Sequence, residues 1–131
     1  MDSKFYVSYE TARLLNEKGY VIKRDFLTPV YNENGCLYWS NHEDLSDNIP
    51  AITKSEAIDW LEGKGLVIVL SPATILQKDG TNTIVWRFYI VRGTEGWYNN
   101  YGDYKTRLEA EEAAIIKTLE LIDYEKRKSN L

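Results

Sequence analysis

Apolar positions along this chain recur with two periods, and the period changes at residues that can start or stop a helix. Ser8 can cap the backbone N–H groups of a turn beginning at Tyr9, Ala12 and Leu15 recur at helical spacing, and Gly19 supplies a left-handed stop, which predicts a helix at about 9–18. Thr53-Lys-Ser-Glu56 reads as a capping box, with Ile52 and Ala57 placed to staple across it. The apolar face that follows is Ala57, Ile58 and Leu61 with Trp60 beside them, and Gly63 or Gly65 ends the helix. A second capping box, Thr106-Arg-Leu-Glu109, opens a helix running to about Glu125. There Leu108, Ile115, Leu119 and Ile122 form one stripe, widened by Ala113 and Ile116.

Between the helices the period falls to two. In FLTPVYNENGCLYWS, Asn34-Gly35 signals a two-residue type I′ hairpin turn, which sets Tyr31 opposite Tyr38 and Val30 opposite Trp39. Phe26, Val30, Leu37 and Trp39 then share the core face, and Leu27, Tyr31 and Tyr38 the other. Pro29, without a backbone donor, suggests an edge strand. After the second helix, LVIVL continues through Ser71-Pro72 to Leu76, the loop KDGTN follows, and TIVWRFYIVRG alternates with Ile84, Trp86, Phe88 and Ile90 toward the core. A turn at Gly93-Thr-Glu-Gly96 leads into WYNNYGDY, setting Ile90 opposite Asn99 and Phe88 opposite Tyr101, with Trp97 and Tyr101 inward, Tyr98 outward and Tyr104 undecided. The order is α-β-β-α-β-β-β-α. It predicts an α+β fold, an antiparallel sheet of about four to five strands with three helices packed on one face. A faint echo at an offset of 46, Glu10, Leu15, Lys18 and Gly19 against Glu56, Leu61, Lys64 and Gly65, reads as two copies of one helix-to-strand connection.

Composition narrows the classes of function. The 131 residues, 44% hydrophobic and 27% charged, suit a single globular domain spanning 1–131 with one core. The longest apolar run, Leu66 to Leu70, falls far short of the roughly 20 residues that a spanning helix needs. The opening MDSKFYVSYE lacks the basic start and apolar stretch of a secretory signal, so a cytoplasmic protein is expected. One cysteine, Cys36, excludes an internal disulfide, and one histidine leaves no metal-ligand spacing, so no metal or other cofactor is implied. A net charge of −4 weighs against nucleic acid as a partner, since phosphate binding needs surplus Lys and Arg. The basic cluster Lys126-Arg127-Lys128 suits the negative end of the last helix's dipole.

Three segments, SYETARLLNEKGY, IPAITKSEAIDWLEGKG and YKTRLEAEEAAIIKTLELI, together resemble the landmarks of a group of small uncharacterised proteins from phages and mobile elements of gut bacteria. The match includes an opening helix of the form S-x-E-x-A-x-x-L-x-x-K-G and the W-L-x-x-K of Trp60, Leu61 and Lys64. The resemblance implies an intracellular bacterial or phage protein and brings no activity with it.

Candidate chemistry is sparse. Cys36, His42 and Asp44 are the residue types of a nucleophile, a base and an orienting carboxylate, but they stand at a hairpin head and in the polar loop SNHEDLSDN, which argues against a catalytic set. The loop from Asp44 to Asn48 lacks the spacing and glycine of a calcium loop. Tyrosine stands out, at ten residues with four tryptophans. Tyr31, Tyr38, Tyr89 and Tyr98, with Arg87, form a candidate patch on the outer sheet face, of the residue types that dominate binding hot spots. Strand propensity alone can also place tyrosines there. The expectation is a non-enzymatic module binding a protein partner or itself. The alternatives are single-stranded nucleic-acid binding, by stacking on those rings, and an acidic inhibitor of phage origin.

Overall fold

The computed structural model describes residues 3–20, 27–41, 49–93 and 97–129, with side chains described for 3–20, 28–40, 49–93 and 102–123. Phe26, Val21 and Ile22, the loop with His42, Glu43, Asp44 and Asp47, and the side chains of Trp97, Tyr98, Tyr101 and Lys126 to Lys128 lie outside the described residues. After a short 3-10 turn at Ser3–Phe5 come α1 (Tyr9–Glu17), β1 (Leu27–Tyr31), β2 (Leu37–Asn41), β3 (Ile49–Pro50), α2 (Lys54–Gly63), β4 (Leu66–Leu76), β5 (Asn82–Arg92), β6 (Trp97–Tyr104) and α3 (Arg107–Ser129). The fold is α+β, as expected, with three α-helices among the described residues. The six strands among the described residues form two three-stranded antiparallel sheets, β2-β1-β3 and β4-β5-β6, in place of one sheet of four to five. The chain divides into two compact units, Met1–Ala57 and Ile58–Leu131.

Each helix starts at its expected cap. Ser8 Oγ accepts from Thr11 N at 3.2 Å, Thr53 Oγ1 from Glu56 N at 3.1 Å and Thr106 Oγ1 from Glu109 N at 3.1 Å. Each bond satisfies one of the donors that a helix start leaves without a partner. In α2 the Glu56 carboxylate turns back to accept the Thr53 hydroxyl at 2.7 Å. At the end of α1, Gly19 N bonds Asn16 O and Tyr20 N bonds Leu15 O, the two bonds of a Schellman motif.

In the first unit, β1 is the central strand, and its hairpin with β2 closes one residue differently from the expectation. Tyr31 pairs with Leu37, Val30 with Tyr38 and Pro29 with Trp39. A type I′ turn needs positive φ at Asn34, and no described non-glycine residue has positive φ. The Asn32 side chain supplies the alternative: its Oδ1 accepts from Asn34 N and Cys36 N, both at 2.9 Å. Asn32 N bonds Cys36 O, Gly35 N bonds Asn32 O, and Gly35 alone takes φ +78°, which makes a three-residue loop ending on a left-handed glycine. Because the strand period is two, this one-residue slip regroups the faces, so that Val30 lies with Tyr38, and Tyr31 with Leu37 and Trp39. The Asn32–Cys36 bonds also fix which strand positions face β2, and Pro29 is not among them. Its carbonyl accepts from Ala51 N at 2.9 Å on the opposite side, so a proline fits the central strand just past the two residues of β3. Val7, Ala12, Leu15, Val30 and Ile52 are fully buried in this unit.

In the second unit the loop after β4 repeats the same closure: Gln77 N bonds Thr81 O, Gly80 N bonds Gln77 O, and Gly80 has φ +88°. Asp79 caps it through Thr81 N at 3.0 Å and the Thr81 hydroxyl at 2.6 Å. The strands pair over all eleven residues, from Leu66 with Arg92 to Leu76 with Asn82. β6 covers only part of β5, pairing from Val91 with Trp97 to Ile90 with Tyr98 and Phe88 with Asn100, then shifting register before Trp86 with Tyr104. This is one residue off the expected pairing, so the register behind the inward assignment of Trp97 and Tyr101 is not adopted. α3 packs on the even-numbered face, where Leu66, Ile68, Phe88 and Ile90 are buried. Its buried stripe is Ala110, Ala114, Ile115, Thr118 and Leu119, whereas the expected Leu108 and Ile122 are half-buried. Small residues there let the helix approach the sheet, and the Thr118 hydroxyl donates to Ala114 O at 2.7 Å. Within the first unit α1 packs beside β3, and within the second α3 packs across β4 to β6.

The Tyr20 hydroxyl donates to Glu56 Oε2 at 3.2 Å, and partial burial, together with the Glu56 charge and hydrogen bond, pushes its pKa from 10.0 up to about 12. The raised value means that the neutral phenol is favoured in the folded state. Its stabilisation is complete below pH 10 and is lost as pH rises toward 12. Thermal melts are expected to show a smaller loss of Tm over that alkaline interval for Tyr20→Phe than for the parent; identical slopes contradict the assignment.

Candidate protein-interaction surface

Among the candidate patch residues, one is not on the surface. Tyr31 is buried: its hydroxyl donates to Val7 O at 2.5 Å, and its ring meets Tyr9 edge-on at 5.7 Å. It ties β1 to the segment before α1 and is a core residue. Tyr38 is 37% exposed and Trp39 53%, but as neighbours on β2 they point to opposite sides of that sheet. Arg87 and Tyr89 belong to the second unit, on the sheet face opposite α3. The Arg87 Nε donates to Asp103 Oδ1 at 2.8 Å, a bond that raises the guanidinium pKa above its usual value. Arg87 and Tyr89 are half-buried, and the side chain of Tyr98 lies outside the described residues. Tyr31 and Tyr38 thus fall in one compact unit and Arg87, Tyr89 and Tyr98 in the other.

Among the described residues, the most exposed of the large apolar side chains lie on the β4–β5 hairpin, and one of them, Ile84, was expected in the core. Leu76 is 71% exposed and Ile84 63%, both on the even-numbered face of the β4–β5 hairpin. On that face Pro72 pairs with Trp86, Thr74 with Ile84 and Leu76 with Asn82. The reason is coverage: β6 pairs no further than Trp86, so four residue pairs and the loop continue past it, about 13 Å of two-stranded ribbon. At its inner end the Arg107 guanidinium lies 5.9 Å from the centre of the Trp86 ring, and Arg107 Nε approaches Glu111 Oε1 at 3.3 Å. The available signal was length. WYNNYGDY, bounded by Gly96 and the cap at Thr106, is too short to run beside all eleven residues of β5.

The ribbon's outer edge has its own chemistry. The Gln77–Thr81 bond places the odd-numbered residues of β4 in hydrogen-bonded pairs with β5, so the even-numbered ones, Pro72 included, turn their amides outward. Pro72 therefore costs the hairpin no bond while withholding a donor from any strand that would add at that edge.

A shallow depression of about 350 Å³ also lies beside α3, lined by Tyr104, Ala113, Ile116, Lys117 and Glu120. Its two charges sit 3.5 Å apart as Lys117 Nζ and Glu120 Oε2. Cys36 is exposed at the first hairpin loop. Among the described residues there is no group of three His, Cys, Asp or Glu placed to hold a metal ion, and no helix is long and apolar enough to cross a membrane. Comparison with protein-family models, with curated proteins and with solved structures finds no match to the chain.

Two substitutions check these placements. Tyr31→Phe removes a buried hydroxyl whose acceptor, Val7 O, is left without it, and is expected to cost about 1–2 kcal/mol in urea unfolding. Pro72→Val restores an outward donor without disturbing the β4–β5 ladder. Its urea midpoint is expected to equal or exceed that of the parent, with more aggregation on storage; a large loss of stability would show that the proline serves the fold.

Proposed function

We propose that the protein is a non-enzymatic, intracellular interaction module that binds a protein partner through the even-numbered face of the β4–β5 hairpin. The observation that carries this reading is the joint exposure of Leu76 and Ile84 beside Pro72, Thr74 and Trp86. Burying one such side chain contributes about 1.5–3 kcal/mol, so a chain that leaves two of them on one narrow ribbon gains by covering them. The segment from Leu70 to Trp86 carries only Lys78 and Asp79 as charges, both in the loop, which suits an apolar protein surface better than a phosphate backbone. The likeness of the three helical landmarks to small phage and mobile-element proteins supports an intracellular bacterial setting.

Single-stranded nucleic acid is the second reading, favoured by the exposed rings of Tyr38 and Trp39. Two neighbouring strand residues face opposite sides of a sheet, so they do not make one stacking platform, and a net charge of −4 opposes it. The same modest charge is all that supports an acidic inhibitor.

Affinity capture with the parent chain and with Ile84→Glu and Leu76→Glu as baits tests the proposal. Both positions are open to solvent, so the variants are expected to lose no more than about 1 kcal/mol of stability and at least tenfold of the captured protein. Equal capture by all three baits refutes the surface.

A further inference from the structure

We infer that the occupant of the β4–β5 face is a second copy of this chain, seated about a two-fold axis with the two hairpins antiparallel, so that Asp79 of each copy meets Arg107 of the other. The inference rests on the proposed binding role of this face and supplies its partner. A two-fold contact uses the same patch twice, so the patch must be complementary to itself. This one is. Leu76 and Ile84 lie toward the loop end of the face and Trp86 at its inner end, so reversing one hairpin against another sets the aliphatic end over the ring.

The charges reverse in the same way. The loop end carries Lys78 and Asp79, and the inner end carries the start of α3, with Arg107, Glu109 and Glu111. The Thr81 hydroxyl and N–H both donate to the Asp79 carboxylate and lower its pKa. The Arg107 side chain is 62% exposed while it lies over Trp86, so its guanidinium is open to a further carboxylate. In the antiparallel arrangement Asp79 approaches Arg107 and Lys78 approaches the acidic first turn of α3. A parallel arrangement instead brings the two Lys78 side chains and the two Asp79 side chains together. Pro72 disfavours joining the β4 edges into one sheet, which leaves the faces as the way two hairpins meet.

Sedimentation velocity of the full chain from low to high micromolar concentration tests the inference. The parent is expected to form a dimer as concentration rises, and Ile84→Glu to remain monomeric with an unchanged far-ultraviolet spectrum. Asp79→Arg and Arg107→Asp, each alone, set like charges at both contacts and are expected to weaken the dimer at least tenfold. An equimolar mixture of the two places opposite charges at both contacts and restores it. A monomeric parent throughout the range overturns the inference, as does a mixture no more dimeric than its folded components. If the parent is monomeric yet Ile84→Glu still loses a captured protein, only the identity of the occupant fails. If Ile84→Glu also captures normally, the binding reading fails with it.

Discussion

An antiparallel hairpin inherits its register from the one loop residue that turns back on itself, and in this chain both four-residue stretches from a polar residue to glycine turn in the same way. Asn32 to Gly35 and Gln77 to Gly80 each close with the glycine amide bonded to the first residue's carbonyl, and each glycine alone takes a left-handed conformation. A side chain with a β-carbon resists that conformation, so the three-residue loop avoids any cost at Asn34 or Asp79, and the Asn32 carboxamide and the Asp79 carboxylate bind loop amides. Everything along the strands follows from that choice. It sends Tyr31 inward to Val7 and Tyr9, sets which residues of β1 and β4 turn their amides outward, and so decides where a proline is harmless.

The three prolines illustrate how strictly the ladders are served. Pro29 and Pro72 stand in strands, and in each case the missing donor falls on the side away from the hairpin partner; Pro50 pairs with Val30, whose own amides are directed at β2. A proline therefore does not mark an edge by itself. It marks a position whose amide has no ladder to join, which a short partner such as the two-residue β3 provides even beside a central strand.

The exposed face of the β4–β5 hairpin follows from unequal lengths in the second unit. Two strands of eleven residues carry a partner of eight and a helix that starts near Trp86, so the apolar alternation that makes Phe88 and Ile90 core continues outward onto solvent at Ile84. The same side-chain pattern is core at one end and surface at the other. The proposed binding role thus rests on no special motif, only on a hairpin longer than the elements covering it, with its few charges confined to the loop.

What the sequence determines by itself is local: the three helix starts, because a hydroxyl at Ser8, Thr53 or Thr106 meets a backbone donor three residues away, and the strand runs, read from a short apolar run in β4 and from alternation in β5. The glycine stops and the α+β class belong to the same level. Tertiary structure decides what those local elements meet. It parts the described strands into two sheets, slips β6 by one residue against β5 and puts Ile84 and Leu76 outside. Caps and periods depend on neighbours a few residues apart. Coverage of a strand depends on where distant segments end, which is why the face of the β4–β5 hairpin could be found only in the folded chain.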